Sequence, residues 1–333
     1  MPARFTRMKL HVAKCLHRAD AILAEGPVWD AVRQRLWWVD IEGRGVHCLD
    51  PAADDDRVWT VADRIGFALP TKGTDLVIGT ERGLARFAPE CGTLTPFANP
   101  ERAISGNRFN DAKCDAAGRL WAGTMAVSEE SGRGSLYRVD AALRVQRIVE
   151  NVSISNGLAW SLDGRTMFYI DSPTRRVDAF DFDPASGAVA NRRAVIEVAD
   201  GFPDGMCIDG EGNLWVALWG GSGVACFDPR SGARLAKIEV PVKAVTSTAS
   251  AATRGTSFSS RPPAAISMPQ AVSDSHSPAR SSSRNPAYRD RRRTFSRDEI
   301  QETNDVFHRC DDGAVVHQQS VPALGCASWS RRL

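Results

Sequence analysis

Histidine is scarce in this 333-residue chain, and where it falls excludes more than its rarity does. The six histidines lie at positions 11, 17, 47, 276, 308 and 317, so the long middle of the chain carries no imidazole. A histidine-based triad or metal cage built from that middle is disfavoured, and no G-x-S-x-G elbow offers an activated serine. Apolar runs are short as well. None reaches the ~18 residues of a membrane-spanning helix, and the N-terminal MPARFTRMKLHVAKCLHRAD lacks a signal-peptide core. These absences predict a soluble, cytoplasmic protein. Charge of one sign is also lacking: 42 Lys and Arg against 40 Asp and Glu leave +2, which predicts neither a nucleic-acid nor a membrane partner. Eight cysteines form no C-x-x-C pair. Cys48, Cys114, Cys207 and Cys226 sit inside apolar strand patterns, where buried reduced thiols are expected. Helical periodicity is absent.

Repetition takes its place. The phrase DGMCIDGEGNLWVALW from Asp204 returns as EGPVWDAVRQRLWWVD from Glu25, DAKCDAAGRLWAGTM from Asp111 and NGLAWSLDGRTMFYID from Asn156, with a degraded copy, IGFALPTKGTDLVIGT, from Ile65. Each unit of about 40 to 50 residues holds four strand-like runs separated by turn chemistry. In the fourth unit the runs are GLAWS, TMFYID, RVDAFDFD and ANRRAVIEV, divided by Leu162-Asp163-Gly164-Arg165 and Pro184-Ala185-Ser186-Gly187. Four antiparallel strands per unit describe a β-propeller blade, whose twisted sheet buries both faces against its neighbours. The expected fold is therefore all-β, a six-bladed propeller. Its sixth blade should open near Val245-Thr246-Ser247. The early run KLHVAKCL is expected as the outer strand of that last blade, closing the ring and covering its open edges.

In a propeller the first strand of each blade lines the central channel, which should bring together Glu25, Ile65, Asp111, Asn156, Asp204 and Thr246. Three carboxylates and an amide in a narrow space repel unless a cation or hydrogen bonds compensate. Oxygen donors select Ca²⁺, Mg²⁺ or Mn²⁺, and Zn²⁺ accepts carboxylates too. Glu25, Asn156 and Asp204 each precede glycine at a strand start with no helix to cap. Other acids read as turn formers: Asp30, Asp115, Asp163 and Asp209 at the first hairpins, and Asp50, Asp183 and Asp228 before proline or in turns. Trp29, Trp37, Trp38, Trp121, Trp160 and Trp215 fall on strands and should pack between blades.

The segments AEGPVWD, NRFNDAKCD-x-x-GRLWAGTM, SNGLAWSLDGRTMFYIDSPTRRVDAFDFD and PDGMCIDGEGNLWVALW resemble the regucalcin, gluconolactonase and luciferin-regenerating enzyme family over residues 21–247. The resemblance implies a six-bladed propeller with one divalent cation (Ca, Zn, Mg or Mn) in the channel. It also implies hydrolysis of a sugar lactone, such as L-arabinono-1,4-lactone or glucono-1,5-lactone, to the sugar acid in carbohydrate metabolism. The alternative is a calcium-binding, regulatory propeller without turnover. By motif, the metal ligands fall on Glu25, Asn156 and Asp204, with Asp204 also orienting or deprotonating the attacking water. The substrate contacts fall on Arg108 and Asn110, with Asp111 beside them. A family acid shortly after GTM has no clean counterpart: Ser128 stands there, followed by Glu129 and Glu130.

Residues 1–247 are thus expected to form the propeller, with blades one to five and the start of blade six. Residues 248–333 break the pattern in a Ser/Ala/Pro/Arg-rich segment. Codons built from the third base of one residue and the first two of the next turn serine runs into apolar ones. Thr253 to Pro262 can then read DAWDELFITS, and Ser281 to Asp298 can read VIFAEPGVPGSPTYLFAG, both similar to the family's last-blade strands. The hypothesis is a single-nucleotide frame shift near Ser247 that costs the chain its sixth blade. Resequencing the gene, with mass spectrometry of the purified chain, decides it.

Overall fold

A computed structural model describes residues 9–13, 15–250 and 265–269. Strand β1 (Lys9–Val12) precedes five sheets, each built on four consecutive antiparallel strands. The first sheet holds β2 (Ala24–Asp30), β3 (Arg35–Asp40), β4 (Gly45–Asp50) and β5 (Asp55–Thr60). The second holds β6 (Ile65–Pro70), β7 (Leu76–Thr80), β8 (Gly83–Ala88) and β9 (Thr93–Ala98). The third is β10 (Asn107–Cys114), β11 (Leu120–Ala126), β12 (Gly134–Val139) and β13 (Val145–Val152). The fourth is β14 (Ser155–Trp160), β15 (Thr166–Asp171), β16 (Arg176–Phe182) and β17 (Val189–Glu197). The fifth is β18 (Phe202–Ile208), β19 (Leu214–Trp219), β20 (Gly223–Phe227) and β21 (Arg234–Glu239). Then β22 (Val245–Ser250) pairs with β23 (Ala265–Pro269) as a two-stranded sheet.

Period-two alternation explains why blades stack. Along β19, Leu214, Val216 and Leu218 pack toward the fourth blade with Phe168, Ile170 and Val177. Trp215 and Ala217 face the other way, with Cys226, Ala236 and Val245. Each strand thus serves two interfaces. Trp121, fully buried, meets Trp160 and Phe182 between the third and fourth blades. Removing its roughly 200 Å² from water contributes roughly 4–6 kcal/mol.

The turn residues behave as the sequence predicts. Asp115 Oδ1 accepts the backbone N–H groups of Ala117 and Arg119, and its Oδ2 accepts Arg119 Nε and Trp121 Nε1. Asp209 repeats the arrangement on Glu211, Asn213 and Trp215. One carboxylate therefore closes the hairpin and anchors an inter-blade tryptophan.

Several expectations, that of a reduced Cys114 among them, need correction. The described residues form five complete blades, not six, and only β22 and β23 stand in the next position. There β22 lies against both β18 and β2, and Thr246 Oγ1 donates to the Ala24 carbonyl at 2.7 Å. Second, β1 does not close a sixth blade: it pairs in parallel with β21, Lys9 opposite Ala236 through Val12 opposite Glu239, as a fifth strand of the fifth sheet. The outer edge of β21 is the edge within its reach, because β22 and β23 offer no outer strand beside it. Third, Ile65 is fully buried in the apolar layer between the first two blades, with Trp37, Val39 and Leu76, since its side chain finds no polar partner in the channel. Cys207 and Cys226 are free and buried and Cys48 is free and half-buried, whereas Cys114 is disulfide-bonded. The frame-shift reading, and most of the segment after Ser247, fall outside the described residues. No described helix is long and apolar enough to cross a membrane.

Candidate metal and substrate site at the propeller hub

Every innermost strand carries an irregularity at the same place. The pairing register shifts between Glu25 and Val28, Ile65 and Phe67, Phe109 and Ala112, Asn156 and Leu158, Pro203 and Met206, and Val245 and Thr248. A bulge bends a strand and re-aims a side chain, and here it acts on the residues that open each repeat. Glycine follows several of them for a spatial reason. A Cβ on Gly66 would stand 2.3 Å from the Phe109 carbonyl oxygen, and one on Gly157 would stand 2.7 Å from that of Asp204. Neighbouring inner strands therefore approach backbone to backbone at the hub.

The sequence-nominated residues are brought together there. Asn156, Asp204, Arg108 and Asn110 are each less than a tenth exposed, while Glu25 and Asp111 keep partial access to water. Burial pushes the Glu25 carboxyl up to about 8, helped by the charge of Asp111 and opposed by the Gly26 N–H and Arg108. Burial likewise raises Asp204 well above the carboxylate range, with Glu25 and Asp111 adding to the effect. Asp111 is raised by burial and drawn back by Lys113 and by the Ala112 N–H. The Arg108 guanidinium is lowered by its own burial while Glu25, Glu42 and Glu129 favour its charge. The three acids destabilise one another, and the protein alone does not cancel this.

A hydrogen-bond thread fixes the amides. The Ser172 hydroxyl donates to the Pro203 carbonyl at 2.6 Å, so its oxygen is left to accept Asn156 Nδ2 at 2.8 Å. That sets the orientation of the Asn156 amide. Its Oδ1 then accepts Asn110 Nδ2 at 3.0 Å, and Asn110 Oδ1 accepts Arg108 Nη1 at 2.5 Å. Arg108 Nη1 also reaches the Phe109 carbonyl at 3.1 Å. Among the described residues its hydrogen bonds all leave from Nη1, and Arg108 forms no ion pair with Asp111, so the rest of the guanidinium fork is free to meet a ligand. Ser172 lies in the short 3-10 turn after β15 and was not nominated from sequence. Its only signal there is its place in SNGL…IDSP, 16 residues after Asn156. The exposed acids Glu42 and Glu129, whose charges favour the Arg108 cation, were not nominated as site residues either. Glu129 stands one position past the Ser128 that the motif aligns.

The residues suit a hard cation. Asp204 Oδ1 is buried with no hydrogen-bond partner, Asn156 turns an oxygen toward the hub, and the available donors are all oxygen. An orphaned buried carboxylate oxygen is costly unless something positive meets it. Among the described residues no three His, Cys, Asp or Glu side chains gather closely enough to hold an ion by themselves. The set here is carboxylate, carboxylate and amide.

A sequence profile of the SMP-30/Gluconolactonase/LRE-like region matches residues 23–256. The chain is 39% identical over 228 residues to the Bacillus subtilis protein named "Putative sugar lactone lactonase YvrE", covering 68% of this chain and 78% of that one. It is 41% identical over 232 residues to Gallus gallus regucalcin, with the same coverage of 68% and 78%. Among solved structures, a luciferin-regenerating enzyme superposes with a TM-score of 0.66 at 34% identity, covering 69% of this chain and 80% of that one. A calcium-binding protein, regucalcin, from Agrobacterium tumefaciens superposes with a TM-score of 0.69 at 29% identity, covering 74% and 88%. The bulged inner strands, the polar hub they frame and these matches converge, and the chain belongs to the SMP-30/gluconolactonase/LRE-like family of β-propellers.

Proposed function

We propose that this protein hydrolyses a sugar lactone, an aldonolactone such as L-arabinono-1,4-lactone or glucono-1,5-lactone, with one divalent cation held by Glu25, Asn156 and Asp204. The observation that carries the proposal is the unpartnered Asp204 Oδ1 among carboxyls that raise one another. When bound, the cation would supply Lewis-acid polarisation of the lactone carbonyl and acidify water, effects typically worth several kcal/mol.

The chain's own residues supply the rest. Asp204 orients the attacking water and accepts its proton on the carboxylate oxygen that does not meet the cation. The remaining N–H groups of the Arg108 guanidinium, beyond those on Nη1, donate to ring hydroxyls of the substrate. Asn110 is committed on both sides of its amide, so it acts chiefly by holding Arg108 and Asn156 in register. Asp111 accepts from a hydroxyl on the same side of the ring. We read the intact ring as six-bladed, because β22 carries the same bulge as the five other inner strands and lies between β18 and β2.

The second reading, a calcium-binding propeller without turnover, is favoured by the likeness to regucalcins. Acid release from a panel of aldonolactones, followed with a pH indicator with and without added Ca²⁺, Mg²⁺, Mn²⁺ or Zn²⁺, separates the two. Cation binding without any lactone opening across the panel would leave only the regulatory reading.

A further inference from the structure

Lys113 follows Asp111 by two residues on β10, and Met206 follows Asp204 by two on β18. The Lys113 ammonium donates to the Met206 carbonyl at 2.8 Å. Those strands belong to the third and fifth blades, so this side chain crosses the hub past the blade that lies between them. It does so one step deeper than the acids, on the far side from the start of β10, where Arg108 lies. Its charge is felt above: burial raises both the Asp111 carboxyl and the Cys207 thiol, and Lys113 draws both back. The hub therefore holds Glu25, Asp111 and Asp204 against Arg108 and Lys113. With a divalent cation added the sum becomes plus one, which complements the single negative charge of an oxyanion.

We propose that Lys113 is a positioning residue that floors the hub, bracing β10 against β18 and acting as a resident counter-cation that limits how tightly a divalent ion is held. This rests on the cation-dependent reading above. A neutral side chain could pack in the same place, but it would leave the Met206 carbonyl without its donor and the acids more negative. Cation affinity then rises, and the loaded hub loses the charge that favours an oxyanion.

The test is calorimetric titration of the chelator-stripped full-length protein with calcium chloride, for the wild type, Lys113→Met and Lys113→Arg. Lys113→Met should bind calcium more tightly by on the order of tenfold, while Lys113→Arg, which keeps the charge, should stay within about twofold of the wild type. Lactone hydrolysis by Lys113→Met should fall in kcat with little change in KM. If Lys113→Met does not fold, Lys113→Gln, neutral but able to donate to the carbonyl, replaces it with the same expected tightening. Neutral variants that bind calcium no more tightly than the wild type overturn the proposal alone. A wild type that takes up no divalent ion overturns it together with the cation-dependent function.

Discussion

Stripped of divalent ions, the protein should lose stability as pH rises from about 5 to about 8, and Asp204→Asn should recover much of that loss. Glu25 titrates near 4.5 when unconstrained and is pushed up to about 8 in the fold. Between those values the native carboxyl keeps a proton that the unfolded chain has released. Stability is therefore complete below the unfolded value and drains away as pH climbs through the folded one. A fully dry group with that shift would forfeit roughly 4–5 kcal/mol above about pH 8. Glu25 keeps some contact with water and has Arg108 nearby, so roughly 2 kcal/mol is the working figure. For a propeller of this size that corresponds to about 4–8 °C in melting temperature. Asp204→Asn removes one of the mutually repelling carboxyls. It should raise the melting temperature of the chelated protein near about pH 8 by a comparable amount, change it little near about pH 5, and abolish stabilisation by added calcium. Differential scanning calorimetry in chelator across that range, for both proteins, gives the answer. A wild-type melting temperature that does not fall over the range, or an asparagine variant destabilised equally at both ends, would refute the argument that the hub stores carboxylate repulsion.

Other expectations follow from single contacts. Ser172→Ala leaves Asn156 Nδ2 and the Pro203 carbonyl without their shared partner, which should cost about 1–3 kcal/mol in denaturant unfolding and weaken calcium binding in the same titration. Arg108→Lys replaces a planar fork by a point charge. It should lower kcat/KM for the best lactone by about a hundredfold, roughly 1–3 kcal/mol of lost recognition, with the melting temperature nearly unchanged. Gly66→Ala forces a Cβ against the Phe109 carbonyl oxygen, only 2.3 Å away; it should destabilise by about 1–3 kcal/mol or more, read as a lower denaturation midpoint at constant slope.

What the sequence revealed was whatever is written locally. In the fourth blade the four runs agree with β14 to β17 to within a residue or two, because Asp163-Gly164 and Asp183 to Gly187 are turn formers wherever they occur. Glu25, Asn156 and Asp204 were legible because the repeat stamps one position onto successive inner strands. The N-terminal strand was misplaced because KLHV can pair with any open edge of suitable length, and the choice of β21 depends on which edges the rest of the chain leaves uncovered. Ile65 shares the repeat position but not its chemistry, so its side chain joined Trp37 and Leu76 in the apolar layer. Ser172 and Lys113 were invisible for another reason. Their partners lie 31 and 93 residues away, and no spacing rule links a serine or a lysine to a distant carbonyl.

The thread running from Pro203 through Ser172, Asn156 and Asn110 to Arg108 ties the arm that would grip a sugar to the amide that would grip an ion. Neither end can be retuned alone: a change at one shifts the other by way of the two hydrogen bonds through Asn110. Relatives that switch to new lactones should therefore leave this inner string untouched and vary the rim, where Glu42 and Glu129 stand free of it.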